Sequence, residues 1–258
     1  STVKLWGSAA ASACVPLLLP GCMTMPEVTG TVTEEEITLL QLEEPAQGSE
    51  TAVVHTTVGD ITILLYPGEA PKAVAQFKEL AEEGFFDDTP VFLEAGIHVF
   101  VAGASNENGT EGKIVAEDGS RLEAETTPDL WHFSGAVSML GVEEKGFLSS
   151  EVKHDSRFFI VGDVPYTEDI VEQMRNYAYP EKVIDAYREK GGMLEFTGKC
   201  TVFGQVTDGM DVVEQICASG INEENNQTAE GIRIQSVTFS TYQGEDASSG
   251  VSSESAEE

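Results

Sequence analysis

Four histidines, four cysteines and one acid set in an apolar run are the residues of this chain whose chemistry has to be weighed first. The histidines stand at 55, 98, 132 and 154, with no i, i+4 pair and no cysteine at ligand spacing, so the pattern of a metal site is missing. The glycine-bearing stretch NENGTEGK lacks the Lys-Ser/Thr ending of a phosphate-cradling loop and reads as a surface turn. Ser138 lies in AVSML, without the G-x-S-x-G elbow that would expose a hydrolase nucleophile. Glu143 and Glu144 fall in a polar loop, where solvated charge is the default. What remains is VFLEAGIHVFVAG, Val91 to Gly103, apolar apart from Glu94 and His98. It is either a site held between core strands or a core strand with an exposed edge.

The elements that would position such a site come from a chain of 258 residues, long enough to bury a sizeable core as one large domain or two small ones. Its 45 acids against 14 bases leave a net charge of −31, which argues against nucleic acid as a partner. Acids crowd Thr33 to Glu50 and the terminal run GEDASSGVSSESAEE, and both segments are expected to be solvated and flexible. Lys4 precedes LWGSAAASACVPLLLPGC, which is short for a membrane-spanning helix and reads as a secretory signal. LPGC resembles a bacterial lipobox, with Pro20 where a small residue is usual. Cys22 is then a lipid anchor, with a plain cleaved signal and an internal cysteine as the other readings. That leaves Cys200 and Cys217 in an extracytoplasmic setting, as buried free thiols or a single bridge.

Residues 23–50 read as an acidic linker, and the folded part is expected from about 51 to 242, followed by a disordered Ser/Glu-rich tail at 243–258. TAVVHTTVGDITILLY alternates on both sides of Val58-Gly59-Asp60, a hairpin signal. In APKAVAQFKELAEEG, Pro71 opens and Gly84 stops an amphipathic helix with Val74, Phe77 and Ala81 on its apolar face. Short apolar runs from Val91 to Gly162 suggest a barrel or sandwich. TEDIVEQMRNYA and PEKVIDAYREKGG predict a helical insertion at about 165–192. CTVFGQV predicts a strand, MDVVEQICASG a helix, and GIRIQSVTFSTY a closing strand. The domain is therefore expected to be mostly β.

Several of these segments together resemble the cyclophilin family of peptidyl-prolyl cis-trans isomerases. GDITILLYPGEAPKAVAQFKELAEEGFFDD is similar to the family's opening strand, Ala-Pro-led helix and aromatic exit. GAVSM resembles its G-x-L-S-M strand, DSRFFIVG its G-S-Q-F-F-I strand, and GKCTVFGQVTDGMDVVEQI its G-K-H-T-V-F-G segment. The resemblance runs over residues 51–242, and the insertion is similar to one in secreted proteins of Gram-positive bacteria. It implies a closed eight-stranded antiparallel barrel with two capping helices. It also implies a rotamase that works without metal or cofactor, in which an apolar pocket grips a proline ring while an arginine donates to the prolyl nitrogen.

Carried over residue by residue, the family's Phe-His-Arg-Val falls on Phe92-Leu93-Glu94-Ala95, so Glu94 takes the place of the catalytic arginine. The pocket phenylalanine and methionine fall on Val99 and Phe100, and the orienting glutamine on Ala102. Gly141 replaces an asparagine, Arg157 a glutamine, Glu195 and Phe196 a tryptophan and a leucine, and Cys200 the histidine of the pocket rim. Phe159 retains a pocket phenylalanine. An ionised carboxylate only accepts hydrogen bonds. The substitute donor would be Arg157, which would otherwise pair with Glu94 or face solvent. His98 reads as a turn residue.

Two functions follow. One is a monomeric isomerase that assists folding of exported proteins outside the cytoplasm, its catalysis weak or lost. The other is a non-catalytic module that binds proline-containing segments or exported proteins at the cell surface. In either case membrane contact comes only through the N-terminal lipid or signal.

Overall fold

The computed structural model describes residues 33–147 and 149–244. The notional lipid anchor Cys22 and the acidic tail from Glu245 onwards lie outside the described residues.

Alternation in the first hairpin becomes β1 (Glu50–Thr56) and β2 (Gly59–Leu65), paired antiparallel from Thr51↔Leu64 to Thr56↔Gly59. The turn falls at Thr57-Val58, so Gly59 and Asp60 already belong to β2. The remaining barrel strands are β3 (Thr89–Pro90), β4 (Val99–Ala102), β6 (Ala136–Met139), β9 (Phe158–Val161), β10 (Val202–Asp208) and β11 (Arg233–Thr241). They form an eight-stranded sheet in the order β3-β11-β1-β2-β10-β6-β9-β4. The gap between its ends is bridged where Phe92, just past β3, exchanges both backbone hydrogen bonds with Val101 at 2.8 and 2.9 Å. Closure leaves little free strand edge, the hazard of an open sheet. A small second sheet joins β5 (Leu122–Glu123), β8 (Ser150–His154) and β7 (Val142–Lys145), in that order.

Two helices cap the barrel. The first, α1 (Pro71–Glu82), has proline at its start and no local side-chain cap. The carboxylate of Glu125, distant in sequence, accepts from the Lys72 and Ala73 amides at 3.2 and 2.9 Å. These orphan donors and the positive end of the helix dipole favour an anion there. Gln76 interrupts the apolar face yet is buried, because its amide donates to the Asp155 carbonyl at 2.9 Å. The insertion contributes α2 (Glu168–Asn176) and α3 (Glu181–Lys190). Gly191 ends α3 at φ 69°, and a Cβ there would lie 2.1 Å from the Val164 carbonyl, so only glycine fits. The second cap, α4 (Met210–Cys217), follows β10 through Gly209.

Inside the barrel, Phe77 of α1 stands 5.4 Å from Phe158 and 5.3 Å from Phe203, ring centre to ring centre, among Ile61, Ile63 and Phe100. On the outer face, Val99, Val101, Phe159 and Val161 form a second apolar layer with Leu64, Phe92, Phe196 and Val202. A third cluster belongs to the insertion, where Trp131 and Phe133 meet Val183, Ile184 and Tyr187.

The expectation of a solvated segment over Thr33–Glu50 fails in its middle. Ile37 and Leu39 are buried in the insertion's cluster. Lys182 Nζ donates to the Ile37 carbonyl at 2.6 Å, and Gln41 clamps both the carbonyl and the amide of Trp131 at 2.7 and 2.8 Å. The acids around them stay exposed. Two alternating aliphatics are enough to dock a segment whose mean composition is that of a solvated linker.

Candidate active-site groove

Strands β4 and β9 supply the floor of the candidate site, paired from Val99↔Val161 to Ala102↔Phe158. Side chains of a strand alternate between faces. Val99 and Val101 face the outer layer with Phe159, whereas Phe100 and Ala102 face the barrel core with Phe158 and Ile160. The expectation that Phe100 and Ala102 line the groove is therefore corrected: both are fully buried inside the barrel, and Val101 is the outward neighbour of Val99.

The structure does bring Phe92, Val99, Phe159, Phe196 and Cys200 together in the outer layer. The Phe159 and Phe196 rings lie 4.6 Å apart, and His132 stacks on Phe159 at 6.0 Å and tilts against Phe196 at 5.4 Å. All five positions are at most 2% exposed, because Leu130, Leu140, Ile97 and Met193 close over them. The place expected to be an open groove is packed. Gly141 is buried just before β7, after Leu140.

Glu94 is half-buried at the turn that leads into β4, with its Oε2 shut away from solvent. Arg157 is 5% exposed and grips Asp155 in two prongs, Nε to Oδ1 at 3.1 Å and the terminal nitrogen to Oδ2 at 2.8 Å. It also donates to the Gly109 carbonyl at 3.2 Å. Through that bond it pins the 104–111 loop, whose other side is held by Asn226 donating to Asn108 O at 3.1 Å. The Arg157–Asp155 pair is buried and geometrically complete, the condition under which such a pair holds a loop in one place. Sequence reasoning missed Asp155, although its i, i+2 spacing from Arg157 was a visible signal. His98 donates from Nε2 to Glu214 at 2.9 Å and so ties the start of β4 to α4. Cys200 and Cys217 are free thiols, and burial beside Glu214 pushes the Cys217 thiol up to about 12.

Beneath the aromatic layer runs a polar column that the sequence did not reveal. His154 Nδ1 donates to the Leu140 carbonyl at 3.0 Å, so its Nε2 accepts from the Thr201 hydroxyl at 3.0 Å. Thr201 Oγ1 in turn accepts from the Glu125 amide at 2.8 Å. Ser138 donates to the Thr201 carbonyl at 3.1 Å and accepts from His132 Nε2 at 2.9 Å. A nucleophilic serine would have to give its proton to the histidine, and here the donation runs the other way. Burial, with the neighbouring His154 second, depresses His132 to about 3, so it is neutral; burial also lowers His154. Burial raises the Glu195 carboxyl above the usual range.

Comparison with known proteins matches the chain to one family. The model for "Cyclophilin type peptidyl-prolyl cis-trans isomerase/CLD" matches residues 51–239. A Staphylococcus aureus protein provisionally named a peptidyl-prolyl cis-trans isomerase is 30% identical over 183 residues, 71% of this chain and 88% of its own. A Staphylococcus epidermidis protein of the same name is 29% identical over 186 residues, 72% of this chain and 90% of its own. Among solved structures, a cyclophilin-type isomerase of Cryptosporidium parvum, crystallised with the dipeptide Ala-Pro, superposes with a TM-score of 0.55 at 17% identity. That match covers 74% of this chain and 99% of the other, and it concerns the fold.

Proposed function

The chain belongs to the cyclophilin-type peptidyl-prolyl cis-trans isomerase family, and from that premise we propose an extracytoplasmic member that holds proline-containing segments of exported proteins and isomerises them weakly or not at all. The reaction asks little covalent chemistry of a protein. The barrier is ~20 kcal/mol and the uncatalysed exchange takes tens of seconds or more. Catalysis comes from an apolar seat for the proline ring and from donors placed for the twisted amide, whose nitrogen has lost conjugation.

The observation that carries the reading is the filled groove. Phe159 and Phe196, two positions that the resemblance assigns to the proline pocket, lie 4.6 Å apart and are 0% exposed, so neither presents a surface to a proline ring. Re-exposing one such side chain costs about 1.5–3 kcal/mol of burial energy. The donor side supports it too. By resemblance the arginine position is Glu94, which accepts only, and loss of one donor typically costs ~10²–10³ in rate. Arg157 spends its Nε edge on Asp155. The LPGC segment supports lipid anchoring at Cys22, and the net charge of −31 argues against anionic partners.

Exchange spectroscopy on a short X-Pro peptide near millimolar concentration tests the proposal without a coupled protease. The expected outcome is an exchange rate close to the uncatalysed one. Robust catalysis by the wild type would overturn it, and its loss in an Arg157→Ala variant that still shows the folded chain's spectrum would make Arg157 the working donor.

A further inference from the structure

With the groove packed, a held peptide needs another seat, and the structure has one beside it. A cavity of about 140 Å³ reaches Cys200 and His132 at its inner end, and its exposed lining residues, Thr126 and Gly198, mark its mouth. Ile37, Pro128, Leu130, Trp131 and Pro180 supply apolar walls. Ile37 comes from the docked N-terminal segment and Pro180 from the residue before α3, so two walls exist only because those additions fold against the barrel. The segment is held there by Lys182 on the Ile37 carbonyl and by the Thr38 amide on Asp129 Oδ1 at 2.8 Å.

We infer that this cavity receives a proline ring from an extended segment with basic flanks. The inference rests on the peptide-holding reading above. A cavity of ~150 Å³ admits a ring the size of benzene, so a pyrrolidine ring fits in the space available, with Glu125, Thr127 and Thr197 adding a polar side to the lining. Trp131 gives its indole N–H to the Pro128 carbonyl at 2.7 Å, which holds the ring in place as a wall. An indole wall flanked by Pro128 and Pro180 suits a proline-bearing extended chain, whose conformation is set before binding. Charge selects the flanks. Glu34, Glu35 and Glu36 stand exposed immediately before Ile37, on a chain of net charge −31. Complementary charge speeds encounter and rejects acidic segments.

The test titrates the full chain with a short capped peptide that has a central proline and an arginine at each end, followed by the indole N–H resonance of Trp131. Trp6→Phe assigns that resonance, since the chain has two tryptophans. Saturable movement of the signal is expected. Thr126→Arg, at an exposed position on the mouth, should weaken binding at least tenfold, and glutamate in place of the flanking arginines should do the same. If the peptide binds wild type and Thr126→Arg equally and the Trp131 signal stays still, the cavity is not the seat, while the peptide-holding reading stands. If neither peptide binds wild type, both fail.

Discussion

His132 offers the sharpest quantitative handle on the packed groove, because it touches both aromatic rings and is neutral only while buried. Its folded pKa of about 3 lies below the unfolded value of 6.5. Between those values the unfolded chain binds a proton that the folded one refuses, so stability rises with pH. The contribution is fully present above pH 6.5 and is lost as pH falls towards 3. At 1.36 kcal/mol per pH unit, the drop from pH 7 to pH 5 comes to about 2 kcal/mol from this residue, and His154 pulls the same way. Protonation of carboxylates on so acidic a chain relieves repulsion and works against this trend. The comparison must therefore be made with His132→Gln, whose amide keeps a donor for Ser138 Oγ but does not titrate. Urea unfolding of both proteins at pH 7, 6 and 5 reads the difference. With a slope of about 2 kcal/mol per molar urea, wild type should lose about 1 M more of its midpoint between pH 7 and 5 than the variant. Equal losses in the two proteins would refute the burial of a neutral imidazole at this position and weaken the packed-groove argument with it.

Two further outcomes follow from the charges that hold the loops and helices. Asp155→Ala leaves Arg157 buried without its main carboxylate, and breaking a buried pair in this way costs about 3–5 kcal/mol. Calorimetry should show a melting point lower by roughly 6–20 °C, at about 2–4 °C per kcal/mol for a domain of this size. Glu125→Ala removes the remote cap of α1 and should cost about 1 kcal/mol, with amide exchange at Lys72 and Ala73 speeding up more than elsewhere in the helix.

Much of this molecule follows from local pattern. The hairpin of β1 and β2, the Pro71-led helix and the Gly191 stop could be read directly, because period-2 and period-3.6 patterns and backbone punctuation act within a few residues. The same holds for the family segments over residues 51–239. Other features depend on contacts between distant residues. In VFVA every side chain is apolar and every one is buried, so the sequence carried no contrast to say which pair faced inward. A shift of one residue exchanges the faces; the resemblance puts Val99, Phe100 and Ala102 at groove positions, whereas the strand turns Phe100 and Ala102 into the core. The acidic segment around Ile37 looked solvated because composition averages over residues, whereas docking was decided by two aliphatics meeting Val183 and Tyr187. The column from His132 to His154 is assembled from three separate stretches of chain. What folding alone settled was how Phe159 and Phe196 are packed: the two rings meet 4.6 Å apart and are fully buried, because burial of aromatic surface is favourable wherever neighbouring side chains can pack over it, and here Leu130, Leu140 and Met193 do.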